Sequence, residues 1–251
     1  MTTQAKPKMF NLYVVRHGAT EWSVSGQHTG RTDIPLTQAG IEQAECTAKH
    51  FKNLLSSKPF SSRFLHIYSS PLSRAFETAR ITTSYDPTSQ IELDDDLQEW
   101  DYGAYEGRRT KEIQADSEET KEWQLFRDGC PGGESAKDVG ARVDRFVAKI
   151  KDIVAREGNE EGPKDVLIFT HGHFARVLAA RWLGKQVFSA GCAPKPLILD
   201  LFIFLIPDLP AIRGSNFAIS TASVAILSFD HNPSEPTIKE WNSTGHLTQK
   251  L

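Results

Sequence analysis

Short apolar runs recur along the chain, and most are followed by a stretch in which apolar residues return every three or four positions. Residues 12–15, LYVV, show no polar alternation, the pattern of a strand covered on both faces of a parallel sheet. After TDIPLTQAG, with Thr37 as a candidate N-cap, Ile41, Ala44, Ala48, Phe51 and Leu55 mark an amphipathic helix. FLHIYSS reads as a second strand and PLSRAFETARI as the helix it feeds, with Pro71 suited to that helix's first turn. IELDDDLQEW is a third, less regular strand. Val139, Val143, Phe146, Ile150 and Ile153 then mark a long helix that ends at GNEEGP. DVLIFTHGH predicts a buried strand ending at His171, FARVLAARWLG a helix stopped by Gly184, and SVAILSF a last strand. The tail from His231 is polar, contains two prolines, and is expected to wrap the surface or fray.

Strands alternating with helices predict an α/β fold: a three-layer sandwich whose central sheet is mostly parallel, with helices on both faces. A length of 251 residues fits one domain spanning 1–251, and no internal repeat interrupts it. The apolar run PLILDLFIFLIP falls well short of the roughly 20 residues a membrane span needs, and it carries Asp200. The surrounding segment, 187–215, can be read as a strand, a dimer contact, a lid or an irregular buried loop, so a homo-oligomer stays open.

Charge narrows the partners. A net charge of −3 argues against nucleic acid or an anionic membrane, whose binding surfaces are basic, while leaving room for a small anionic ligand held by local charge. Cys46, Cys130 and Cys192 are odd in number and far apart, which fits reduced thiols rather than a disulfide framework. MTTQAKPKMF lacks the apolar core of an export signal, so a cytoplasmic location is expected.

In a sheet of this kind ligands bind beyond the carboxyl ends of the strands. Arg16 and His17 follow the first strand, Arg74 lies just inside the helix after the second, and His171-Gly172-His173 follow the fourth. Arginine presents a rigid fork of donors that matches phosphate oxygens, which makes Arg16 and Arg74 a candidate clamp. Fixed positive charge beside His17 disfavours its protonated form, and a neutral imidazole is a nucleophile. His171 can add a donor to the equatorial oxygens of a phosphoryl group in transfer. Glu99 is placed to act as general acid and then as general base, and that role needs a raised pKa. Asp94, Asp95 and Asp96 compete with it but read better as a solvated edge. His17, His171 and His173 could be read as metal ligands, but the neighbouring arginines would repel a cation, so no metal is expected. Gly18 gives the turn at which main chain and Thr20 can approach a bound group.

The blocks LYVVRHGAT, GQHTGRTDIPLTQAGIEQA, SSPLSRAFETA, LQEWDYGAYEG and THGHFARVLAA, in this order, resemble the histidine phosphatase superfamily, the branch of the cofactor-dependent phosphoglycerate mutases. The wording SGQHTG, EWDYGAYEG and RDGCPGGES is most similar to its fungal sugar-bisphosphatase subgroup, of the sedoheptulose-1,7-bisphosphatase type. The resemblance implies His17 as the phosphorylated nucleophile, Arg16, Arg74 and His171 as the phosphate pocket, and Glu99 as proton donor. It also implies substrate contacts from Thr20, Ser23, His28, Thr29, Tyr102 and Gly172, with no metal or organic cofactor. The implied activity is hydrolysis of a small sugar phosphate or bisphosphate; a phosphoglycerate mutase or a non-catalytic phospho-ligand binder are the alternatives. Ser23 stands where mutases carry asparagine, Trp100 where they carry an arginine, and the insertion after Glu99 is short; all three favour hydrolysis. Arg108, Arg109 and Arg127 are candidates for a second phosphate.

Overall fold

A computed structural model describes residues 7–158, 162–184, 211 and 213–248. Its strands are β1 (Leu12–Arg16), β2 (Phe64–Ser69), β3 (Glu92–Leu93), β4 (Asp165–Thr170), β5 (Val224–Phe229) and β6 (Pro236–Ser243), in the order β3-β2-β4-β1-β5-β6. The first four run parallel, and β5 and β6 are antiparallel additions beside β1. The helices are α1 (Glu21–Ser25), α2 (Gln38–Leu54), α3 (Ser73–Thr83), α4 (Thr110–Gln114), α5 (Leu125–Asp128), α6 (Ala136–Glu157) and α7 (Gly172–Gly184).

Burial on both sheet faces explains the unbroken apolar runs. On one face, Leu12, Val14, Val166 and Ile168 pack with Val143 and Phe146 of α6 and Phe174 and Leu178 of α7. On the other, Tyr13, Val15, Leu167 and Phe169 pack with Phe51 of α2, Ala79 of α3 and the ring of Phe64. β1 and β4 lie side by side at the centre, in register from Leu12 opposite Val166 to Arg16 opposite Thr170, so their carboxyl ends emerge together. Local chemistry sets the helix starts: Thr37 caps α2 by accepting from the Gly40 N–H, and Ser135 and Asp138 form a reciprocal capping box on α6.

Three expectations need correction. The third strand is only two residues long, because Asp94 turns the chain into a 3-10 turn by accepting from the Asp96 N–H. α3 begins at Ser73 with Leu72 as its N-cap, so Pro71 stands outside the helix instead of in its first turn. The tail beyond His231 does not simply wrap or fray: Pro236–Ser243 forms the edge strand β6, with Pro236 at its first position, where a missing N–H is tolerated. Charged residues conceal this strand in the sequence, but Ile238 and Trp241 pack against the core. The apolar run at 196–207 lies outside the described residues. Among the described residues, no helix is long and apolar enough to cross a membrane.

The turn after β1 is locked against α2. A Cβ on Gly40 would lie 2.1 Å from the Ala19 carbonyl oxygen, and one on Gly18 would lie 2.4 Å from the Gly40 carbonyl oxygen. Backbone therefore packs on backbone, and nothing flexible can give way. Gly40→Ala is expected to cost about 2 kcal/mol of stability through overpacking; unchanged unfolding in denaturant would contradict this contact.

Candidate active site

The parallel ladders continue past the strand ends. The His17 N–H donates to the Thr170 carbonyl at 2.9 Å, and the Ser70 N–H to the Phe169 carbonyl at 3.0 Å. The three adjacent strands thus deliver His17, Ser70 and His171 to one sheet edge. His17 is buried, and its Nδ1 lies 2.7 Å from the Gly18 carbonyl. A carbonyl can only accept, so Nδ1 carries the proton and Nε2 keeps the lone pair. Burial first, then Arg16 and Arg74, hold the His17 pKa well below its ordinary value.

His171 is neutral for similar reasons, burial first and the charge of Arg74 next. Arg74 Nε donates to its Nδ1 at 3.2 Å, so the proton sits on Nε2, which donates to Ser70 Oγ at 2.8 Å. Its ring centre is 5.2 Å from that of His17. With both ring nitrogens engaged, His171 has no lone pair to offer in the three-histidine metal arrangement considered from the sequence.

The two arginines differ in what they face. Arg16 donates through Nη1 to the Ile219 carbonyl at 2.7 Å, while its buried Nε has no partner. Gly172 makes room for it: a Cβ there would come within 3.3 Å of the guanidinium. Arg74 is fully buried and donates to the carbonyls of Thr29, Gly30 and Thr32, besides His171. It braces that loop from behind. Among the described residues neither guanidinium contacts a carboxylate, so the sheet edge holds a buried surplus of positive charge.

Glu99 closes another side. Its Oε1 accepts from the N–H groups of Trp100 and Phe174, each at 2.8 Å, and its Oε2 from the His173 N–H at 2.9 Å. The carboxylate therefore caps the N-terminus of α7 from a distant segment. Beside it the Tyr102 hydroxyl lies 2.5 Å from His173 Nδ1, and burial holds that imidazole well below its usual pKa, so the phenol donates. His28, pushed down to about 4 by burial, packs against Tyr102 with ring centres 4.7 Å apart, and its Nε2 lies 3.2 Å from Thr110 Oγ1.

These groups surround a cavity of about 280 Å³. Of the residues singled out in the sequence, Arg16, His17, Ser23 and Glu99 line it, as do His28, Thr29, Tyr102 and Gly172. Arg74 and His171 stand behind the wall. Thr20 does too, its hydroxyl accepting from the Ser23 N–H to cap α1 while Ser23 Oγ accepts in return. Arg108, Arg109 and Arg127 do not reach the cavity. Arg108 pairs with Asp116, Arg127 with Asp128, and Arg109 with Glu112 and the Ser25 carbonyl. Asp94 and Asp96 pair with Lys149 and Arg145 of α6 and are partly buried rather than fully solvated.

One cation escaped the sequence reading. Arg176 of α7 lines the cavity, donates to the carbonyls of Gly214 and Ser215, and lies 4.7 Å over the Phe126 ring. It lies four positions after Gly172, and that one-turn helical spacing was the signal available. Trp22, Gln27 and Thr110 also line the cavity without having been singled out.

The family model of the histidine phosphatase superfamily, branch 1, matches residues 12–190, and the chain belongs to that family. It is similar to sedoheptulose 1,7-bisphosphatase of Saccharomyces cerevisiae, at 32% identity over 249 residues covering 90% of each chain. An acid phosphatase of Mycobacterium tuberculosis is 33% identical over 220 residues, covering 88% of this chain and 87% of the relative. Among solved structures, an open reading frame product of Mycobacterium tuberculosis superposes with a TM-score of 0.71 at 31% identity, over 94% of this chain and 99% of the other. The protein is a phosphoric monoester hydrolase of the histidine phosphatase type.

The depressed imidazoles have a thermodynamic consequence. His17, His28, His171 and His173 are held neutral in the folded chain, whereas unfolded histidines take a proton near pH 6.5. Their contribution to stability is complete above that pH and is lost as protonation increasingly favours the unfolded chain. Thermal unfolding followed against pH should give a level midpoint above about pH 7 and a steady fall below about pH 6.5. A midpoint that held or rose down to about pH 5 would contradict the burial of neutral imidazoles.

Proposed function

We propose that the protein hydrolyses a small sugar phosphate, a sugar bisphosphate foremost, through a phosphohistidine at His17. The observation that carries this reading is the tautomer of His17: Nδ1–H bound to the Gly18 carbonyl, Nε2 bearing the lone pair, and the unpartnered Nε of Arg16 in the same cavity. The substrate's phosphoryl oxygens take up the open donors of Arg16. His17 Nε2 attacks phosphorus, the P–O bond to the sugar breaks, and Glu99, carrying a proton taken from solvent, delivers that proton to the departing alkoxide. Glu99 then takes a proton from water, whose oxygen attacks phosphorus and releases the imidazole and inorganic phosphate. Arg74 holds the sheet edge positive from behind, and the neutral His171 keeps its place beside it, while charge moves across the phosphoryl oxygens.

The remaining walls support a sugar with a second phosphate. Tyr102, His28, Thr29 and Thr110 offer neutral polar groups suited to hydroxyls, and Arg176 supplies a cation apart from Arg16. The yeast relative's own name, sedoheptulose 1,7-bisphosphatase, describes a substrate of this class. Trp100 supports hydrolysis over a mutase cycle. It is fully buried, its Nε1 donates to the Glu134 carbonyl, and it gives the cavity no cation where the mutases carry one.

Phosphate release across a panel of sugar mono- and bisphosphates tests the reading. Turnover is expected to be highest on a bisphosphate. Arg176→Met should raise KM for that bisphosphate by about tenfold or more, as loss of a charged hydrogen bond predicts, with little change for the matching monophosphate. Isomer exchange of phosphoglycerate without phosphate release would overturn the hydrolytic assignment. An Arg176 variant affecting both substrates equally would remove the second-phosphate site.

A further inference from the structure

We infer that Arg142, on α6 and outside the cavity, is a positioning residue that holds Glu99 in register for proton transfer. The inference rests on the proposed role of Glu99 as proton donor. That carboxylate belongs to no regular element: β3 ends at Leu93, and the chain from Asp94 to Tyr102 is a 3-10 turn followed by irregular backbone. No strand ladder fixes its distance from the sheet edge, so something else must.

Arg142 supplies the constraint. All five of its N–H donors are engaged: Nη1 donates to the carbonyls of Asp96 and Gln98 at 2.8 and 3.0 Å, and Nη2 donates to the Glu99 carbonyl at 3.2 Å. The remaining donors form a two-pronged pair with Glu134, Nε to Oε1 at 2.7 Å and Nη2 to Oε2 at 2.8 Å. Glu134 then grips the other side of the same segment. Its Oε2 accepts from the Asp101 N–H, its carbonyl accepts from Trp100 Nε1, and its own N–H donates to the Asp101 carbonyl. Glu99 is thus stapled on both flanks by one partly buried ion pair. Arg142 also lies 5.5 Å over the ring of Phe174, whose N–H binds the Glu99 carboxylate, so it touches both the backbone and the helix end that house the acid.

A rigid planar fork does this where lysine cannot, because an ammonium has only three donors and no plane. A displacement of about 1 Å in a reacting group can cost on the order of a hundredfold in rate. The loss should fall on substrates whose leaving group needs a proton.

The test compares kcat/KM, which reports only the steps up to departure of the leaving group, for an alkyl sugar phosphate and for p-nitrophenyl phosphate, whose leaving group departs unprotonated. Glu99→Gln serves as the reference. Arg142→Lys is expected to lower kcat/KM for the sugar phosphate by about tenfold or more, and for p-nitrophenyl phosphate by less than about twofold, with the same selectivity as Glu99→Gln. Equal losses on both substrates, or no loss on either, would overturn the inference. If Glu99→Gln itself shows no leaving-group selectivity, the reading of Glu99 as proton donor fails and this one falls with it. Selectivity in Glu99→Gln but not in Arg142→Lys removes the positioning role alone. Should Arg142→Lys fail to fold, the double change Glu134→Gln with Arg142→Gln leaves no charge buried unpaired and is read the same way. Failure of both to fold would show a structural role only and contradict the proposal.

Discussion

The hydrogen bond from His17 Nδ1 to the carbonyl of the next residue decides what this site can do. It fixes a tautomer, and with the tautomer the ring nitrogen that is left as a nucleophile. That bond would be weak protection on its own, because a protonated imidazole could make it equally well. Burial and two guanidiniums close that route by making a third positive charge at the sheet edge unfavourable. In the proposed reaction the same surplus that keeps the histidine neutral would draw in a phosphoryl dianion, so one arrangement would serve both nucleophilicity and binding.

The fold is arranged around keeping that charge dry and in place. β1 and β4 sit together at the middle of the sheet with apolar layers on both faces, and the turn after β1 continues their ladder through the His17 N–H. Backbone contact between the Gly18 turn and the first turn of α2 removes the freedom that a side chain in between would leave. Arg74 works from behind, tying the loop at 29–32 and setting the tautomer of His171. The acid side of the site is fastened differently, by an ion pair and the end of α7 rather than by a strand.

Much of this was legible in the residues. Double-faced burial writes itself as unbroken apolar runs, and the cap at Thr37 announces its helix. Strand ends followed by Arg-His, or by His-Gly-His, told where chemistry would gather. Less visible were features set by contacts distant in sequence. β6 hides among charged residues because only Ile238 and Trp241 turn inward. The third strand stops early because an aspartate finds a backbone N–H two residues on. Arg108, Arg109 and Arg127 resembled phosphate ligands until their carboxylate partners were seen, while Arg176 passed unnoticed on a helix face. Thr20 and Arg74 belong to the motif blocks, and the sequence did not show that Thr20 Oγ1 accepts from the Ser23 N–H or that Arg74 donates to the 29–32 loop.

Whether an uncharged imidazole at position 17 accepts the phosphoryl group is open to direct measurement. Acid-free quenching of the enzyme during turnover of a phosphorus-labelled substrate, followed by peptide mapping and phosphorus NMR, identifies the atom that carries the label. Phosphate is expected on Nε2 of His17, formed and lost at rates compatible with turnover. Label on Nδ1, on another side chain, or on no protein atom during turnover would contradict it.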